Sequence, residues 1–107
     1  MDYYKVITLC GSTRFKKEFE KINKKLTLEG NVVISVACFG HAGDDIDQNQ
    51  KELLDNIHLQ KIRMADEIFV INKDGYIGAS TTREIKYAQS IGKPIVYMED
   101  PNGQIED

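Results

Sequence analysis

No apolar run in this chain approaches the roughly 20 residues a membrane span needs. Nor does a basic, an apolar and a small-residue segment follow one another in the manner of a secretory leader, so a cytoplasmic location is the expectation. Positive charge is not in excess: 14 Lys and Arg stand against 17 Asp and Glu, for a net charge of −3. The one lysine-rich stretch, Lys16 to Lys25, is interleaved with Glu18 and Glu20, which is how the wet face of a helix reads. A polymeric nucleic acid is therefore not an expected partner. The only two cysteines, Cys10 and Cys38, lack the spacing of a metal-binding pair, and each sits near the end of an apolar strand; both read as buried, reduced thiols. With two prolines, no repeat and no low-complexity tract, nothing divides the 107 residues, and one domain over 1–107 is expected. Only about 100–107 reads as a polar tail.

What is present alternates. Lys5–Cys10 (KVITLC) is a short β-branched run ending at Gly11, as for a buried strand. From about Thr13 to Glu29 the apolar residues Phe15, Phe19, Ile22, Leu26 and Leu28 recur every three to four positions, the pattern of an amphipathic helix that Gly30 terminates. Asn31–Phe39 reads as a second strand, Gln48–Met64 as a second helix, Glu67–Asn72 as a third strand, Thr81–Ile91 as a third helix and Ile95–Glu99 as a fourth strand. In the second helix Leu53, Leu54, Ile57, Ile62 and Leu59 are expected to face the sheet, with Phe15, Phe19, Leu53 and Ile57 as core. Strands separated by helices require right-handed crossovers and a parallel sheet between helical layers. The expected fold is a three-layer, flavodoxin-like or Rossmann-like α/β domain with strand order 2-1-3-4. That order puts the topological switch between the first and third strands, where ligands bind beyond the carboxyl ends.

Two strand-to-helix turns meet there. Gly11-Ser12-Thr13-Arg14 offers close backbone approach, hydroxyl donors and a guanidinium that can grip a phosphate through paired bonds. An ordinary Ser or Thr helix cap followed by an exposed Arg has the same appearance, and the segment lacks the Gly-Lys-Ser/Thr ending of a P-loop. The second turn runs through Gly75 and Gly78 to Ser80-Thr81-Thr82-Arg83-Glu84. Glu84, three residues after Thr81, reads as the far end of a capping box. Spacing alone favours that cap, although the same carboxylate could attack an anomeric carbon, as in retaining glycosidases. His41, Asp44 and Asp45 lie in the loop after the second strand, with no partner at metal-ligand spacing; His41 and His58 lack a nearby cysteine or carboxylate, so neither a metal nor a cofactor is expected.

Gly11-Ser12-Thr13-Arg14 after the first strand, Ala65-Asp66 before the third, then Gly75-Tyr76-Ile77-Gly78 and Thr82-Arg83-Glu84-Ile85-Lys86-Tyr87-Ala88 together resemble the nucleoside 2-deoxyribosyltransferase superfamily. The likeness spans Lys5 to Glu99 and is most specific from Ala65 to Ala88. Relatives include the 2′-deoxynucleoside 5′-phosphate N-hydrolases, which share a flavodoxin-like fold and assemble as dimers or larger oligomers. The resemblance implies that Glu84 is the nucleophile on the deoxyribose C1′. It further implies that Gly11, Ser12 and Arg14, with Gly78 and Ser80 from the second loop, bind the sugar and 5′-phosphate. The expected partners are a small nucleoside or nucleotide and a second copy of the chain.

Two positions depart from the family pattern. A tyrosine common near the nucleophile is replaced by Thr8, for which Tyr76 or Tyr87 is a substitute or simply a packing aromatic. The aspartate that helps protonate the leaving base, eight residues before Asp66, is replaced by His58. His58 reads either as an acid–base group or as a helix residue without chemistry. Asp66 itself reads as the junction of helix and strand. Cleavage or transfer at an N-glycosidic bond of a 2′-deoxynucleoside or its 5′-monophosphate is the first functional expectation. A nucleotide-binding sensor without turnover is the second, and a ligand-free scaffold the third.

Overall fold

The computed structural model describes residues 3–37, 39 and 45–101. Among the described residues four strands and three α-helices alternate: β1 (Val6–Gly11), α1 (Lys16–Leu28), β2 (Val32–Ile34), α2 (Gln48–Met64), β3 (Glu67–Ile71), α3 (Ala79–Ser90) and β4 (Ile95–Tyr97). The strands form one parallel sheet in the order β2-β1-β3-β4, as the alternation of β-branched runs and helical periods predicts.

Side-chain alternation on β1 decides what each face of the sheet holds. Ile7 and Leu9 point to one face and pack with Phe19 and Leu26 of α1 and with Ile71. Thr8 and Cys10 point the other way. Cys10 joins Ile68 and Val70 of β3, Ile62 of α2 and Ala88 of α3. The sheet is thus sandwiched between α1 and the α2–α3 pair, and any polar group on the even-numbered face of β1 meets α2 and α3.

Three expectations are corrected. First, β2 is three residues long rather than running from Asn31 to Phe39. It pairs only with β1, from Val6↔Val32 to Thr8↔Ile34, and the next carbonyl, that of Ser35, accepts from Lys61 Nζ at 2.8 Å instead of continuing the ladder. Cys38 and part of the following loop, with Gly40, His41, Gly43 and Asp44, lie outside the described residues. Second, Leu53 and Ile57 are exposed, at 58% and 42%, rather than core. The face of α2 turned to the sheet carries His58 and Ile62, with Leu54 and Leu59 half-buried beside them; Leu53 and Ile57 lie on the flank of this stripe, and a histidine occupies a slot that hydropathy assigns to an aliphatic. Phe19 is buried and Phe15 half-buried, as expected.

Third, α3 begins at Ala79, before Thr81, with Gly78 as its N-cap and no side-chain capping bond. Thr81 is buried within the first turn, and Thr82 Oγ1 donates to the Gly78 carbonyl at 2.9 Å. The Thr81–Glu84 capping box does not form. A capping box does join Asp47 and Gln50 at the start of α2.

Candidate active site

The carboxyl ends of β1 and β3 are drawn together at Gly11. A Cβ built there would come within 2.8 Å of the Ile71 carbonyl oxygen and 3.1 Å of Ile71 Cβ, so only glycine lets β1 turn out of the sheet at this point. Immediately after it, Ser12 Oγ accepts from the Arg14 backbone N–H at 3.3 Å and caps a short 3-10 turn over Thr13–Phe15. On the other side of the switch, the loop after β3 brings Tyr76 back over Gly78, where a Cβ would meet the tyrosine hydroxyl at 3.1 Å.

Between these turns and α2 lies a cavity of about 650 Å³, whose walls include Gly11, Ser12, His58, Gly78, Ser80 and Glu84. Asp45 also lines it. A second cavity of about 430 Å³ opens between α2 and α3, against Asn56, Leu59, Arg83 and Tyr87. Glu84, Ser80 and Asp55 line both. The carboxylate singled out in the sequence therefore stands in the partition between two recesses.

Its surroundings come from three elements. Cys10 at the end of β1, His58 on α2 and Glu84 on α3 bring their Sγ, ring nitrogen and carboxylate oxygen within 4.8 Å of one another. Cys10 Sγ is 3.6 Å from His58 Nε2, and His58 Nε2 is 4.0 Å from Glu84 Oε1. Burial is the main force on all three. It pushes Glu84 up to about 7, reinforced by the negative charge of Asp55 and opposed by a hydrogen bond from Cys10 and by Arg83 and Lys51. It lowers His58 to about 4, aided by Lys61 and opposed by a hydrogen bond to the Leu9 backbone and by Asp55. It pushes the Cys10 thiol well up, with Glu84 adding to the effect. At neutral pH His58 is therefore neutral, and its 4.0 Å approach to Glu84 is not an ion pair. The expectation of no metal rested on His58 lacking a cysteine and a carboxylate nearby; folding supplies both.

Other predicted positions distribute as follows. Arg14 is exposed and does not line the larger cavity. Its guanidinium lies 4.1 Å over the Tyr76 ring, Nη2 donates to the Tyr76 hydroxyl at 3.2 Å and Nε to Ser12 Oγ at 3.2 Å. It is thus stacked on a wall residue, within reach of the mouth. Ser80 Oγ accepts from Arg83 at 3.3 Å. Thr8 is fully buried and donates to the Lys61 carbonyl at 2.8 Å, tying β1 to α2; it is not a stand-in for a tyrosine at the cavity. Tyr87 accepts from Arg63 at 3.0 Å beside the smaller recess. Asp66 sits at the opposite end of the sheet, where Oδ2 accepts from the Val6 N–H at 2.8 Å and from the Tyr3 hydroxyl. Its role there is to tie strand ends together.

Sequence reasoning missed Cys10, Asp55 and Lys61 as neighbours of the site. The signals were present: Cys10 alternates with Ile7 and Leu9 onto the α2–α3 face, and Asp55 and Lys61 lie three residues either side of His58, one helical turn away.

Residues 3–97 match the family described as Domain of unknown function (DUF4406). No curated protein matches the sequence. Among solved structures, the 2-desoxiribosyltransferase from Leishmania mexicana superposes with a TM-score of 0.64 at 16% identity, covering 87% of this chain and 63% of that one. This chain thus spans somewhat under two thirds of that protein's length. The chain belongs to the DUF4406 family, and its fold is that of the nucleoside 2-deoxyribosyltransferase-like proteins.

Proposed function

We propose that this protein cleaves or exchanges the N-glycosidic bond of a 2′-deoxynucleoside or its 5′-monophosphate, with Glu84 as nucleophile. The observation that carries this reading is the position of Glu84: half-buried, free of capping duty, at the switch point of a deoxyribosyltransferase-like fold, and shared by two cavities. In this reading the larger cavity takes the sugar, with Gly11, Ser12, Gly78 and Ser80 around it and Arg14 swinging from Tyr76 onto the 5′-phosphate. The smaller recess takes the base.

Ionised Glu84 attacks C1′, an ester bond forms, and the C1′–N bond breaks with its electron pair leaving on the base nitrogen, which takes a proton from cavity water. Water then attacks C1′ in hydrolysis, or the nitrogen of a second base in transfer, and the carboxylate is released. His58 acts on Glu84 rather than on the base. Its ring is held to the Leu9 backbone, with Nε2 3.6 Å from Cys10 Sγ and 4.0 Å from the Glu84 carboxylate, the placement of a positioning residue. No cofactor is required by these steps.

A homodimer is part of the proposal. Leu53, Ile57 and Met64 are exposed on one stripe of α2, next to the helix flank that borders the smaller recess. Sedimentation of the parent as a dimer and of Leu53→Asp as a monomer is the expected result.

The test of activity is incubation with a panel of deoxynucleosides and deoxynucleoside monophosphates, with and without acceptor base, followed by chromatography. Released base that vanishes in Glu84→Gln supports the reading, and dependence on acceptor separates transferase from hydrolase. A nucleotide-binding sensor is favoured instead by Thr8, whose hydroxyl is consumed by the Lys61 carbonyl where active relatives carry a tyrosine. It predicts ligand-induced thermal stabilisation without base release.

A further inference from the structure

Cys10, His58 and Glu84 are a sulfur, an imidazole nitrogen and a carboxylate oxygen, the three ligand types that zinc accepts. They come from a strand and two helices, so the triangle is held by the packing of the whole α2–α3 face and not by a loop. Zinc at about 2.3 Å from sulfur and about 2.0 Å from nitrogen places those two ligands about 3.5 Å apart in a tetrahedron; Cys10 Sγ and His58 Nε2 stand 3.6 Å apart. The His58–Glu84 separation of 4.0 Å exceeds the about 3.3 Å of the same tetrahedral geometry, so ligation by Glu84 requires its carboxylate to move in by roughly half an ångström. The ring's remaining hydrogen bond, to the Leu9 backbone, is the kind of partner that fixes a metal-binding histidine's orientation. His58 and Glu84 also line the larger cavity, which leaves a fourth position facing solvent or ligand.

We infer that the Cys10–His58–Glu84 cluster is a three-ligand site for a borderline-soft divalent ion of the zinc class, with its open position toward the larger cavity. A single carboxylate among sulfur and nitrogen discriminates against Mg²⁺, which prefers an oxygen shell. Where Glu84 is the nucleophile of the preceding proposal, metal binding occupies its attacking oxygen. The ion is then an inhibitor, released by a chelator, not a catalyst. That last step rests on the proposed activity; the site itself does not.

The test uses the full chain, stripped with chelator and titrated with Zn²⁺ by calorimetry and with Co²⁺ by absorbance, without substrate. Expected are one ion per chain, a thiolate-to-cobalt charge-transfer band, and no uptake of Mg²⁺. Cys10→Ser should abolish the band and Cys38→Ser should leave it, while His58→Gln should weaken Zn²⁺ binding at least tenfold. Glu84→Gln, a near-isosteric change, should also weaken it and guards against misreading a misfolded Cys10 variant. Absence of 1:1 Zn²⁺ binding, or a thiolate band that survives Cys10→Ser or is lost in Cys38→Ser, overturns the inference. If metal binds as described and no base is released from any substrate, the metal site stands and the glycosidic reading falls.

Discussion

His58 Nε2 and Glu84 Oε1 stand 4.0 Å apart, and the same burial drives their protonation in opposite directions. Neither group acquires a full charge partner from the other, because at neutral pH the histidine is uncharged. The pair is therefore a proton-poor imidazole beside a carboxyl poised near 7, a range suited to a group that must ionise to attack yet remain shielded from water.

A pH–rate profile follows from that pair in chelator-treated protein. As the proposed nucleophile, Glu84 must be ionised to react, and its carboxyl is pushed up to about 7. Base release should rise with pH through about 7 on the limb set by Glu84. Arg83→Gln, which removes a cation that favours the ionised form, should move this limb to higher pH.

The same groups predict how stability varies with pH. Glu84 holds its proton more tightly when folded, so its contribution is full below the ordinary glutamate value of 4.5 and is lost as pH rises through about 7. His58 is the reverse: its folded value is depressed from 6.5 to about 4, so its contribution is present above 6.5 and lost as pH falls through about 4. The two slopes oppose each other between about 4.5 and 6.5. Glu84→Gln should unmask a stability that climbs with pH in this window, and His58→Gln one that declines. Each effect is on the order of 3 kcal/mol at full extent. Denaturant melts of both variants at half-unit pH steps measure the slopes; parallel curves for parent and variants refute the assignment.

Thr8→Val should lower stability by about 1–2 kcal/mol, because it strands the Lys61 carbonyl that Thr8 Oγ1 now satisfies at 2.8 Å. A urea midpoint that falls with an unchanged slope is the expected signature. Gain of base release in Thr8→Tyr is not expected, since that position faces the α2 backbone and not the cavity.

Arg14→Ala should raise KM for a deoxynucleoside monophosphate about tenfold, the scale of one charge-assisted hydrogen bond, and leave the unphosphorylated nucleoside nearly unaffected. Steady-state kinetics on the matched pair of substrates measures this. Equal loss on both would mean that Arg14 acts by holding Tyr76 in place, through the 4.1 Å stacking seen here.

The sheet order and the meeting of two turns at Gly11 and Gly78 were legible because alternating strand and helix periods admit few topologies. Phe19 was legible from helical spacing for the same reason. Leu53 and Ile57 were not: periodicity identifies an apolar stripe on α2 but not which edge of it meets the sheet, and the buried slot went to His58. The role of Glu84 was ambiguous for a related cause. Thr81 and Glu84 have capping-box spacing, but the cap is decided by where the helix starts, and Gly78 starts it one turn earlier than the threonine suggests. Cys10 beside His58 and Glu84 joins three distant segments, a relation that only the assembled α2–α3 face creates.

The most direct measurement of the central claim is mass spectrometry of rapidly quenched protein during turnover of a deoxynucleoside monophosphate, followed by peptide mapping. One deoxyribosyl phosphate adduct per chain is expected, carried on the peptide containing Glu84 and absent from Glu84→Gln. Base release that continues in Glu84→Gln, with no adduct on that peptide, would contradict it.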